Sequence, residues 1–156
     1  MRILICGLPG SGKTTFAREL LTQLGENTCW FNADDIRKLY NDWDFSPEGR
    51  IRQAERMRRF AHESGFKHVI CDFVAPTEEI RNIFSADYVI WMDTETKSQY
   101  EDTDKLFERP SKWNYIVKMK DVLNTVSPCV EQIRKLEQTY DQENVGEQLN
   151  IFDTYL

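Results

Sequence analysis

The chain has 156 residues, 40% of them hydrophobic and 29% charged, with a formal net charge of −6. That is ordinary composition for one globular domain able to bury about 70% of the surface its unfolded form exposes. No run approaches the ~18 apolar residues of a membrane span, and the acidic balance argues against a general nucleic-acid binder.

Strand-like runs occur at 2–6, 28–31, 67–72, 88–92 and 115–118, separated by helical patterns at about 13–24, 34–41, 47–64, 77–84 and 127–140. Short apolar strands alternating with helices predict an α/β fold of the P-loop type. About five parallel strands should be covered by helices on both faces. Gly25 and Gly65 mark helix ends, and Ser46-Pro47 and Ser127-Pro128 read as a cap residue followed by proline at the first helical position. Residues 1–140 are expected to form the domain and 141–156, polar until Ile151-Phe152, a C-terminal appendage. The first strand begins within two residues of the start, so no signal peptide is expected and the cytoplasm is the expected location. The cysteines Cys6, Cys29, Cys71 and Cys129 form no C-x-x-C pair, and Cys6 and Cys71 lie in strand patterns as expected buried thiols.

The most specific signal is Gly7-Leu8-Pro9-Gly10-Ser11-Gly12-Lys13-Thr14, placed after the first strand and before the first helix. Its glycines let successive backbone N–H groups face a polyphosphate, and the helix start adds its positive dipole end. Lys13 is expected to reach the β/γ-phosphates of ATP and the Thr14 hydroxyl to ligate Mg²⁺, with Thr15 completing the nucleotide-binding residues.

In a parallel sheet, ligands bind beyond the carboxyl ends of the strands. After the second strand comes Asn32-Ala33-Asp34-Asp35-Ile36-Arg37. Asp34 is placed to take a proton from an attacking hydroxyl, with Arg37 offsetting charge on the transferred phosphoryl group; Asp35 is assigned to capping the helix. After the third strand, Asp72 has the character of an acidic residue that assists Mg²⁺. Arg50, Arg52, Arg56, Arg58 and Arg59 concentrate positive charge. They form either a solvated face paired with Glu55 and Glu63 or an anion site.

Over residues 1–90 these segments resemble adenylylsulphate (APS) kinase, which phosphorylates the ribose 3′-hydroxyl of APS with MgATP. The family pattern continues from the P-loop through Asp-Gly-Asp-x-x-Arg, Gly-Phe-Ser before an arginine, Asn-Ile-Arg-Arg, and Phe-Ile-Ser-Pro. This chain reads Asn32 to Arg37, Asp44-Phe45-Ser46 before Arg50, Gln53-Ala54-Glu55-Arg56, and Phe73-Val74-Ala75-Pro76. The resemblance implies that Asp34, Lys13 and Arg37 are catalytic. It implies substrate-binding roles for Asp34, Arg37, Phe45, Arg50, Gln53 and Val74, metal binding by Thr14 and Asp72, and a small anionic nucleotide-like acceptor. The family's lid stretch, Arg-Asp-x-Lys-Gly-Leu-Tyr, is missing before Phe107-Glu108-Arg109-Pro110. The reduced lid leaves Lys97, Lys105, Arg109 and Lys112 as its cations. Asn32 to Arg37 is also similar to the Asn-x-Asp-Asp-x-Arg of phage-type polynucleotide 5′-hydroxyl kinases. That keeps a nucleic-acid end or a hydroxylated base open as acceptor, and a nucleotide-binding module without catalysis stands as the remaining alternative.

Overall fold

The computed structural model describes residues 1–155, with side chains through residue 145. Five parallel strands, β1 (Arg2–Cys6), β2 (Thr28–Asn32), β3 (His68–Asp72), β4 (Tyr88–Met92) and β5 (Tyr115–Val117), lie in the order β2-β3-β1-β4-β5. The period-two alternation of side chains sends Ile3 and Ile5 to one face, under α1 (Lys13–Leu24) and α6 (Val122–Tyr155). Leu4 and Cys6 point to the other face, under α2 (Ala33–Tyr40), α3 (Pro47–Glu63) and α4 (Glu78–Phe84). Both faces are therefore cores, and fully buried side chains such as Phe16, Leu20, Met57 and Phe84 each contribute roughly 1.5–3 kcal/mol.

The register brings the strand ends that matter to one edge. Ile5 pairs with Asp72, Asn32 with Asp72, and Cys6 with Trp91. The loops after β1, β2, β3 and β4 consequently open onto the same side. The chain passes from β3 across β1 to β4, so β1 and its following loop stand at the point where the strand order reverses.

Local signals set most helix bounds. Ser46 caps α3 by accepting from the Gly49 N–H at 3.2 Å, and Thr77 caps α4 by accepting from the Ile80 N–H at 3.2 Å. The start expected at Ser127-Pro128 is corrected: α6 begins five residues earlier, at Val122, where Asp121 accepts from the Asn124 N–H at 3.4 Å and from the Thr125 N–H at 3.0 Å. Pro128 lies inside the helix and removes one ladder hydrogen bond. Burial of Val126, Cys129, Val130 and Ile133 in the α1 core holds the helix together across it. The expected division at residue 140 falls within α6, most of whose later side chains lie outside the described residues. A sixth helix, α5 (Glu101–Leu106), was not expected; it is six residues long and buries only Thr103, too short for a hydrophobic period to show. Among the described residues no helix is long and apolar enough to cross a membrane, and all four cysteines are free.

Candidate active site

The P-loop is shaped by close approach. A Cβ on Gly7 would stand 2.7 Å from the Met92 carbonyl oxygen, and Gly12 has φ +96° as the chain turns into α1. No side chain caps α1, so its first N–H groups are left for an anion. Pro9, Gly10, Gly12, Lys13 and Thr14 face a cavity, whereas Leu8 and Ser11 are buried behind them. The Lys13 ammonium donates to the Gly7 carbonyl at 3.0 Å and the Leu8 carbonyl at 2.9 Å. Burial lowers its pKa to about 8, against the opposing pull of Asp72.

At the far side of Lys13, Asp72 is buried and held by three side chains. Trp30 Nε1 donates to Oδ1 at 2.8 Å, Thr14 Oγ1 to Oδ2 at 3.1 Å, and Asn32 Nδ2 to both oxygens at 3.2 Å. Burial raises the Asp72 pKa, while the bonds from Trp30, Thr14 and Asn32 and the charge of Lys13 act to lower it. A hydroxyl beside a carboxylate suits a hard cation. Among the described residues no group of three or more His, Cys, Asp and Glu side chains could hold a metal alone. The donor set thus fits Mg²⁺ brought with a polyphosphate, Thr14 and Asp72 supplying the protein's share.

Asn32, not Asp35, caps α2, its Oδ1 accepting from the Asp34 N–H at 3.0 Å and the Asp35 N–H at 3.2 Å. The capping role expected for Asp35 is therefore corrected. A side chain one residue before the helix has the reach that a residue inside its first turn lacks. Asp34 lines the cavity and Asp35 does not.

That cavity, of about 1040 Å³, runs from the P-loop past Asp34 to α5. Its wall brings together Arg37, Phe45, Arg50, Gln53 and Val74, residues spread over four segments of sequence. The Phe45 ring has two guanidinium groups beside it, Arg37 at 4.2 Å and Arg50 at 5.4 Å from its centroid. Arg37 is nearly fully buried and spends Nη1 on the Asp42 and Asp44 carbonyls, each at 3.0 Å. Arg50 Nε donates to the Phe45 carbonyl at 3.0 Å and Nη2 to Thr103 Oγ1 at 3.1 Å. Burial lowers both arginine pKa values, yet guanidinium stays charged. Gln53 Nε2 donates to the Ala33 carbonyl at 2.9 Å, which fixes the amide and leaves Oε1 buried without a partner.

Of the remaining arginines, Arg52, Arg56 and Arg59 are tied into the fold and Arg58 is exposed. Arg52 and Arg56 pair with Asp42 at 3.0 and 2.7 Å, and Arg52 also with Asp44 at 3.0 Å. Arg52 thereby holds the Asp42 carboxyl well below its usual range. Arg59 donates to the Tyr40 hydroxyl at 2.6 Å. The expected partners Glu55 and Glu63 are replaced by aspartates from the loop before α3, which folds back over the helix start. Gly49 permits that crossing, since a Cβ there would meet the Asp44 carbonyl oxygen at 2.1 Å.

Of the lid cations, Arg109 pairs with Asp93 at 3.1 Å and Lys105 with Glu101 at 3.1 Å. Lys97 faces a second cleft of about 450 Å³ beside Pro9 and Gly10, together with Lys120, which sequence reasoning missed. Also missed were Trp30, behind Asp72, and Trp43, Tyr100 and Thr103 in the main cavity. Buried or cleft-facing aromatics carry no local motif, so only the fold could have found them.

Residues 1–108 match the family model described as adenylylsulphate kinase. No curated protein matches the chain. Among solved structures, the Mycobacterium tuberculosis APS kinase CysC in complex with AMPPNP and APS is 17% identical with a TM-score of 0.72, over 85% of this chain and 96% of that one. A gluconokinase from Sinorhizobium meliloti is 14% identical with a TM-score of 0.66, over 90% and 96%. Shikimate kinase from Aquifex aeolicus is 18% identical with a TM-score of 0.64, over 88% and 99%. These likenesses establish the P-loop kinase fold, and the family match covers most of the chain. The chain belongs to the adenylylsulphate kinase family and is a kinase.

Proposed function

We propose that this kinase transfers the γ-phosphoryl group of ATP to a hydroxyl of an anionic, nucleotide-like acceptor, with adenylylsulphate as the first candidate. The observation that carries the reading is the pair of guanidinium groups beside Phe45 in the same cavity as Lys13 and Asp34. A half-exposed aromatic ring with two fixed cations beside it suits a planar base attached to an anion.

Lys13 and the free N–H groups at the start of α1 hold the β- and γ-phosphates. Thr14 and Asp72 would hold Mg²⁺, which when bound offsets the charge on the phosphate oxygens. Asp34 accepts the proton of the acceptor hydroxyl as its oxygen forms a bond to the γ-phosphorus. The bond between that phosphorus and the β–γ bridging oxygen breaks, and ADP leaves. Arg37 and Arg50 neutralise the acceptor's anionic group, and Gln53 Oε1 offers its unused lone pairs to an acceptor N–H or O–H.

The test is transfer of label from γ-labelled ATP to a panel of APS, nucleosides, hydroxymethylated DNA and 5′-hydroxyl oligonucleotides. Labelling of APS above the rest supports the reading. Preference for an oligonucleotide or a modified base would move the acceptor to nucleic acid, and tight ATP binding with no labelled product would make the chain a nucleotide-binding module.

A further inference from the structure

The α5 helix immediately precedes Phe107 and forms one wall of the cavity that also holds Lys13 and Asp34. Gln99, Tyr100, Glu101, Asp102 and Thr103 all line it. Thr103 is 8% exposed, a buried hydroxyl whose one side-chain contact across the cavity is Arg50 Nη2 at 3.1 Å. Of the five N–H donors of a guanidinium, Arg50 commits one to Phe45 and one to Thr103, and the others are left for a ligand. Glu101 and Asp102, by contrast, are exposed carboxylates on that wall, like in sign to an anionic acceptor, and Glu101 is paired only with the exposed Lys105 at 3.1 Å. With Asp34 and Asp72 they set four carboxylates against Lys13, Arg37 and Arg50 in one cavity, and of the four only Glu101 and Asp102 stand on the α5 wall. Such a surface attracts an anion at the arginines and repels further negative charge elsewhere.

We propose that α5 is the specificity element of this kinase: Thr103 holds Arg50 in its cavity-facing pose, while Glu101 and Asp102 limit how much negative charge the acceptor can carry. The inference rests on the reading that this cavity holds the acceptor. Thr103 is a positioning residue, because it acts through Arg50. The two carboxylates act on the ligand through space. The acceptor class that fits is a nucleotide with its charge concentrated at one end and hydroxyl or amine donors elsewhere. A ligand bearing a second phosphate on its sugar is disfavoured.

The experiment is equilibrium binding of adenosine, APS and adenosine 3′,5′-bisphosphate to the full chain with the P-loop saturated by a non-hydrolysable ATP analogue. Glu101→Gln/Asp102→Asn should tighten APS about threefold and the bisphosphate about tenfold. It should leave adenosine unchanged, and the gain should shrink at high salt. Thr103→Val should weaken APS about fivefold, and Thr103→Ser should restore it. Arg50→Ala serves as the control for the acceptor reading itself. If Arg50→Ala weakens APS while the carboxylate and threonine variants bind all three ligands as wild type does, the specificity role of α5 is wrong and the acceptor reading stands. If wild type binds none of the ligands, or Arg50→Ala binds APS normally, the acceptor reading falls and the inference with it.

Discussion

Substituting Gly49 by alanine sets helix propensity against the packing of the acceptor site. In a helix, Gly→Ala ordinarily stabilises by about 1 kcal/mol. Here the new methyl would lie 2.1 Å from the Asp44 carbonyl oxygen and 2.6 Å from Asp44 Cγ, and ordinary contact begins at 3.4 Å. The loop must therefore move by 3.4 − 2.1 = 1.3 Å. The two Arg37 bonds to the Asp42 and Asp44 carbonyls, now 3.0 Å each, share that loop. Displacing it costs one or both of them, at roughly 1.5–3 kcal/mol for a hydrogen bond to a charged group. The same displacement shifts Phe45 relative to the Arg37 and Arg50 guanidinium groups. Gly49→Ala is expected to raise the acceptor KM by ~10- to 100-fold while the ATP KM, set on the other side of the cavity, stays within about twofold. Steady-state transfer assays varying each substrate, with a thermal melt to check folding, measure this. A variant with wild-type acceptor KM would refute the argument, because the loop would then be free to move without consequence for the site.

Three further outcomes are expected. Asp34→Asn should leave ATP affinity within a few-fold and lower the transfer rate by ~10²-fold or more, with Asp35→Asn mild; single-turnover rates decide, and a larger loss at Asp35 would reverse the roles. ATP affinity should hold level below pH 8 and fall above it. Lys13 has a pKa of about 8 in the free protein, phosphate favours its charged form, and raising the pH removes that cation before binding; titrations from pH 7 to 9.5 that stay flat would contradict this. Arg50→Ala should raise the acceptor KM strongly, whereas Arg58→Ala, at an exposed position, should change it by less than about twofold; equal tolerance would remove Arg50 from the site.

The sheet and four of its helices were legible because each follows from local periodicity and end signals. β1, α1 and β4 have the bounds that their apolar runs and glycines imply. What escaped depends on distance in sequence. Asp42 and Asp44 compete for the α3 arginines only because Gly49 lets their loop double back. Asn32 serves as both cap and Asp72 donor because β2 and β3 are paired there. α5 is six residues of mostly exposed polar side chains, and only the Arg50–Thr103 contact reveals its place. Pro128 misled for the opposite reason, a strong local signal overridden by the packing of α6 on α1.

The Trp30 indole donates to Asp72 and has the Arg18 guanidinium 5.9 Å from its ring centroid, so the carboxylate that would face a cation is wired to a chromophore. Of the four tryptophans, Trp91 and Trp113 pack on each other at 5.2 Å, and Trp43 lines the main cavity. The protein therefore carries one native fluorophore in its cavity, Trp43, and one behind the cavity's Asp72, Trp30. In a Trp43→Phe background, any change in emission on adding metal and nucleotide should originate largely at Trp30, and in a Trp30→Phe background an acceptor should be seen through Trp43. Occupancy at the two positions, and the order in which they fill, can be followed without attaching a label.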